Sequence, residues 1–325
     1  MSKRMTTPKK ENVSFLGSIG RFFKAIGGFF KKVGLKIRRF LRRLFAVKSM
    51  RSLKGDILAI IFLILFCCIM AVPMIYVICN AFKPYDELFL YPPRFFVNNP
   101  TFDNFQNLSI AMSNSYVPFS RYFFNTIFIT VVGTGLHVIF ASMAAYSLEK
   151  IHFKGQNAFF SLVVVALLFT PNVTSIPNFI IMSRLNLVDT YWALIFPAIG
   201  ASMGLFLMKQ FMSSIHNAML EAARIDGAGE LKIFFTIVMP NVKPAWLTLI
   251  IFSATDLWNN TGGVLIRTEE IKPLAFALQQ ISQGGLARAG VAGAISVLLM
   301  SVPIILFIAT QSQVLDTMAS SGIKE

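Results

Sequence analysis

Past residue 56 the side chains that could do chemistry are few and scattered. Cys67, Cys68 and Cys79 share one apolar run, and none stands at ligand spacing from a histidine. Neither a disulfide framework nor a metal site is expected from them. His137 falls inside an apolar stretch and reads as a packed polar residue, while His152 and His216 fall in connecting segments. Asp256 differs, because it sits about 12 residues into an apolar run and is followed by Trp258 and Asn259. An acidic group at membrane depth is a functional hypothesis by default. A carboxylate next to an aromatic face offers the hydrogen-bond acceptor and flat apolar surface that a sugar ring uses. If the run ends early, Asp256 lies at the outer interface instead. The densest polar cluster is Glu221-Ala222-Ala223-Arg224-Ile225-Asp226-Gly227-Ala228-Gly229, small and charged residues set between long apolar runs.

The elements that must position these residues are membrane helices. Of 325 residues, 55% are apolar and only 14% charged, too few charges to cover a soluble surface of that size. A helix needs about 20 apolar residues to cross the hydrocarbon core. Six segments qualify: Ile57–Phe82, Phe123–Leu148, Phe159–Met182, Tyr191–Phe211, Ala245–Asn260 and Val291–Gln311, the fifth being short. The expected fold is therefore all-α and polytopic, with a 57–325 membrane domain. Pro171, Pro177 and Pro197 fall in the third and fourth spans, where proline kinks a helix.

Residues 1–56 form a separate segment. They hold sixteen Lys and Arg against Glu11 and Asp56, a local balance of +14 out of +15 for the whole chain. Phe15, Ile19, Phe22, Ile26, Phe29, Val33, Ile37, Phe40 and Leu44 recur at steps of three and four, with Lys and Arg between them. That pattern predicts a basic amphipathic helix lying in the headgroup layer against anionic lipid. No small-residue cleavage site follows it, so retained helices rather than a cleaved signal are expected to direct insertion. Cation-rich segments stay in the cytoplasm. Six spans then put both termini inside, with external loops near 83–122, 183–190 and 261–290 and internal loops at 149–158 and 212–244.

The internal loop 212–244 reads as two short helices. Asn217 can cap the first, and Gly227 supplies the left-handed residue that stops it. Gly229 can begin the second, with Glu230 in its first turn. Phe234, Ile237 and Val238 form one face, and Pro240 and Pro244 close it. Met219, Leu220, Ala222 and Ala223, around Glu221 and Arg224, are expected to form an apolar ridge with small residues at its centre facing the cytosol. The loop is slightly acidic, which suits a groove on a protein better than an anionic membrane surface.

This loop, Glu221 to Ala228 followed by Phe234, Pro240 and Pro244, resembles the EAA loop of permease subunits in bacterial ABC importers. Ala81-Phe82-Lys83-Pro84, Asn125, Ala144-Ala145-Tyr146-Ser147-Leu148, Leu187 to Leu194 and Trp258-Asn259 extend the resemblance from about residue 57 to the C-terminus. They place it in the carbohydrate-uptake branch, near the G-type permease of maltose importers. The chain departs from the family pattern at His216, where proline is usual, and at Thr261-Gly262-Gly263. The resemblance implies a type I importer permease in the bacterial cell membrane. Its partners would be a second permease, two ATPase subunits and an extracellular solute-binding protein that delivers a sugar or oligosaccharide. Glu221, Ala222, Ala223, Asp226 and Gly227 would be the ATPase-coupling residues, and Asp256, Trp258 and Asn259 would line the substrate pathway.

The chain carries no G-x-x-x-x-G-K-[ST] phosphate loop, so ATP would belong to a partner and no cofactor or metal to this chain. A membrane enzyme would need paired catalytic groups at depth, and Asp256 stands alone. A non-transporting scaffold anchored by the basic helix, or a permease for a non-sugar solute, remains as an alternative; nucleic-acid binding does not fit the aromatic register.

Overall fold

The computed structural model describes residues 53–113, 117–283 and 288–321, and these are helical with no strand among them. The predicted basic amphipathic helix lies outside the described residues. Two compact units meet between Ala71 and Val72. The first helix, α1 (Leu53–Phe82), contributes to both, and its long uncharged run is apolar enough to cross a membrane. The second unit holds everything that follows.

Two short helices, α2 (Tyr85–Leu88) and α3 (Asp103–Ser113), cap one end. Asn104 of α3 donates to the carbonyls of Ala81 and Lys83 at 3.0 and 2.8 Å. The central element is α4 (Phe119–Lys150), 32 residues without an internal proline. It is followed by α5 (Gln156–Ala166) and α6 (Pro171–Arg184), then α7 (Trp192–Ile199) and α8 (Ser202–Met212). Next come α9 (Asn217–Ile225), α10 (Glu230–Asn241) and α11 (Lys243–Asn259). A 3-10 turn at Glu269–Ile271, α12 (Leu274–Ser282) and α13 (Ala289–Ser321) complete the chain.

Four of the predicted spans are continuous by length and composition: Ile57–Phe82, Phe119–Lys150, Trp192–Met212 and Ala289–Gln311. The other two are bent, by 112° between α5 and α6 and by 82° between α10 and α11. The straight third span expected over Phe159–Met182 is thus corrected. Leu167 ends α5, and Thr170 is held extended (φ −74, ψ 153) as the residue before Pro171, a position that disfavours helix. Pro244 does not close the internal loop's second helix but opens α11. Pro240 sits just after a wide π turn, Phe234–Val238, which precedes the missing proline N–H.

Three buried clusters run along the second unit. Tyr146, Met208, Met212, Phe234, Val238 and Leu249 fill the end that carries loop 212–244. Ile129, Leu194, Ile195 and Leu257 fill the middle, and Met112, Tyr122, Trp258, Leu278 and Ile295 the opposite end. The α4 and α8 helices approach closely at Gly204, where a methyl group would sit 2.0 Å from His137 Nε2. His137 is buried as expected, and its Nδ1 bonds the carbonyl of Ala198.

Candidate functional site

Loop 212–244 is built as a helix, a glycine turn and a second helix. After α9, Gly227 adopts φ +80, a conformation that costs other L-residues about 1–2 kcal/mol. The Gly227 N–H donates to the Arg224 carbonyl and the Ala228 N–H to that of Ala223, both at 3.0 Å. This pair satisfies two of the carbonyls that a helix end leaves free. Gly229 then caps α10 with extended backbone.

Two expectations for this loop are corrected. The cap of α9 is His216, with no side-chain bond, and Asn217 is already helical, its Oδ1 accepting from Lys150 Nζ at 3.0 Å. The small-residue ridge is split by the helical period. Leu220 is only 1% exposed and points into the core with Ile233, Phe234 and Val238, and Ala223 packs against the same cluster. The outward face consists of Glu221, Ala222 and Asp226 together with Ile225, 86% exposed, and Leu231 on α10. A polar rim around exposed apolar side chains on a short rigid helix is chemically suited to a protein groove. The signal for Ile225 in the sequence is its place as the apolar residue one turn after Glu221, off the face that Leu220 and Ala223 turn to the core.

Glu230 is the hub of the loop. Its carboxylate accepts from Arg224 Nε at 2.7 Å and from the Tyr146 hydroxyl at 2.5 Å. The Arg224 bond first, and the Tyr146 bond next, hold the Glu230 carboxyl below the usual carboxylate range, while desolvation opposes them. The same Glu230 bond raises Arg224 further above its ordinary value. The ring of Tyr146 packs on Phe234, centroids 5.6 Å apart.

The second candidate set divides. Asp256 and Asn259 are exposed on one stripe of α11 and line a groove of about 620 Å3 with Thr255, Phe252, Pro303 and Phe307. Asn259 Nδ2 donates back to the Thr255 carbonyl at 2.9 Å. Trp258 does not join them, which corrects the expectation of an aromatic face beside the carboxylate. It turns inward, 5% exposed, donates from Nε1 to the Leu299 carbonyl at 3.1 Å and meets Phe123 edge-on. Among the described residues no three His, Cys, Asp or Glu side chains stand together as a metal cluster would require.

At the end opposite loop 212–244 lies a third polar assembly, built on Asn125 of α4 and on Asp189 and Tyr191, residues that carry the family resemblance but whose partners their spacing does not show. Asn125 Nδ2 donates to the carbonyls of Glu270 and Lys272 at 2.8 and 3.0 Å, and Asn125 Oδ1 accepts from the Tyr191 hydroxyl at 2.8 Å. Asp189, with φ +65, receives the backbone N–H groups of Arg267 and Thr268 at 2.9 and 2.8 Å, and also the Thr268 hydroxyl. The Thr268 hydroxyl bond is the chief reason its carboxyl lies below the ordinary aspartate value.

Residues 137–318, which include both candidate sets, match the family described as the binding-protein-dependent transport system inner membrane component. The chain belongs to this family. Among relatives of this permease, Protein LplC of Bacillus subtilis is 33% identical over 217 residues, 65% of this chain and 70% of the relative. The polygalacturonan/rhamnogalacturonan transport system permease protein YtcP of the same organism is 31% identical, covering 71% and 79% of the two chains. The arabinooligosaccharides transport system permease protein AraQ of Halalkalibacterium halodurans is 33% identical over 58% and 67%. One chain in a crystal structure of a bacterial ABC transporter importing the acidic polysaccharide alginate superposes with a TM-score of 0.65 at 26% identity, covering 82% of this permease and 99% of that chain.

Proposed function

We propose that this permease pairs with a second permease to form the membrane pathway for a sugar or oligosaccharide that an extracellular binding protein delivers, and that two ATPase subunits drive it. One observation carries the coupling part of this reading: the rigid α9, glycine turn, α10 unit presents Glu221, Ala222 and exposed Ile225 outward while Leu220 and Phe234 anchor it in the core. Ala222, small and exposed, allows close seating of a partner, Ala223 seats the helix on the core beneath it, and Asp226 and Gly227 form the turn. ATP binding would close the ATPase pair, and the docked helix would move with it as a rigid body, switching the side to which the pathway opens. ATP belongs to the partners in this reading, and the chain itself performs no covalent chemistry. The carbohydrate assignment is supported by relatives whose names specify polygalacturonan and arabinooligosaccharides. Asp256 and Asn259 are the polar groups offered to the pathway from α11.

The test is Gly227→Val in whole cells. A branched side chain at φ +80 strains the turn by about 1–2 kcal/mol or more. Membrane insertion is expected to persist and ATP hydrolysis to continue, with uptake of the oligosaccharide bound by the cognate binding protein lost. Normal uptake by this variant overturns the coupling role.

A further inference from the structure

Two side chains one turn apart on α4 grip the two ends of α9 within loop 212–244. Lys150 Nζ donates to the Ile215 carbonyl at 2.7 Å and to Asn217 Oδ1 at 3.0 Å, just where α9 begins. Tyr146 donates its hydroxyl to Glu230 Oε2 at 2.5 Å, and the same carboxylate takes Arg224 Nε at 2.7 Å, where α9 ends. A helix tied at one end would pivot under load. One tied at both ends to the same neighbour moves with it. The far end of α4 is equally bound: Tyr122 donates to Glu269 at 2.9 Å, Asn125 to the carbonyls of Glu270 and Lys272, and Thr126 Oγ1 accepts the Leu274 N–H at 2.7 Å. Between these grips α4 is one uninterrupted helix.

We infer that Tyr146 and Lys150 are positioning residues that lock α9 to α4, making α4 the strut that carries displacement of loop 212–244 across the membrane to residues 269–274. The inference rests on the reading that α9 docks on an ATPase. Contiguous hydrogen-bonded contacts joined by a rigid element supply the physical route, and energetic coupling between its ends is what must be measured.

The experiment uses the complete importer, purified and reconstituted in liposomes with its binding protein. Tyr146→Phe removes one oxygen and keeps the ring on Phe234; Lys150→Met keeps the stem and removes the ammonium. Each is expected to speed hydrogen exchange at residues 217–228 and to lower oligosaccharide taken up per ATP hydrolysed by about threefold or more. ATPase subunits should still co-purify at the normal ratio. An unchanged uptake-to-hydrolysis ratio in both variants overturns the strut, even if exchange is faster, because the bonds would then be merely structural. If Lys150→Met fails to assemble, Tyr146→Phe decides alone. Failure of ATPases to co-purify with the unaltered permease would sink the proposed function instead, and the exchange measurement would still judge the grip.

Discussion

Asp189 shows how one carboxylate in a connecting segment can organise a distant loop. Its left-handed backbone aims both oxygens at residues 267–268, replacing three water contacts with three donors from the protein. Because the folded-state value is depressed, the stabilisation is present above the unfolded aspartate value of about 3.9 and is lost as pH falls through the folded value. Protease sensitivity of the loop near residue 267 should therefore stay flat from neutral pH down to about pH 4 and rise only below it. Asp189→Ala should make the loop sensitive at neutral pH, at a cost of about 1 kcal/mol given its solvent exposure. A loop that loosens near pH 6 would point to a histidine instead and contradict this assignment. At this scale the sequence was partly legible. Gly227 and Gly229 announced the turn because backbone conformation depends on local residue type, whereas the partners of Tyr146 and Lys150 stand 84 and 65 residues away and leave no local trace.

The close seating of α8 on α4 is a property of the two helices together. Gly204 lets the His137 ring reach the Ala198 carbonyl, and this places α8 where Met208 and Met212 meet the core beside Leu220. Small residues at membrane helix crossings allow this approach of backbones. Gly204→Val should force the helices apart and destabilise the bundle by roughly 1–3 kcal/mol, read as a lower midpoint of thermal aggregation in detergent. His137→Ala added to Gly204→Val should recover part of that loss by emptying the contact. No recovery in the double variant would show that the two residues are not coupled. The length of the apolar runs announced these spans, since a continuous apolar stretch of about 20 residues satisfies its own backbone in lipid as a helix. It did not reveal that α5 and α6 meet at 112°, nor that Leu220 faces inward and Trp258 leaves the groove. Those outcomes depend on which neighbouring helix each face meets.

Across the whole molecule, side-chain contacts decide how the bent helices count as crossings. The α7–α8 pair runs from the N-terminal end of α4, where Tyr191 bonds Asn125, to its C-terminal end, where Lys209 pairs with Glu149 at 2.6 Å. The α5–α6 pair leaves α4 at that C-terminal end and delivers the chain to Tyr191 at the other, so it must cross as well, in spite of its bend. In the same way α11 leaves the Phe234 cluster and reaches the Trp258 cluster. Six crossings follow, an even number. The sixteen cations of residues 1–56 favour the cytoplasm for the first side, and parity then brings the C-terminal end of α13 to the same side. A fluorescent protein fused after residue 325 should therefore be bright in cells, and alkaline phosphatase inserted after Gly263 should be active. An active phosphatase at the C-terminus would mean an odd number of crossings. It would place one bent pair as a re-entrant hairpin and separate loop 212–244 from the side on which an ATPase could reach it.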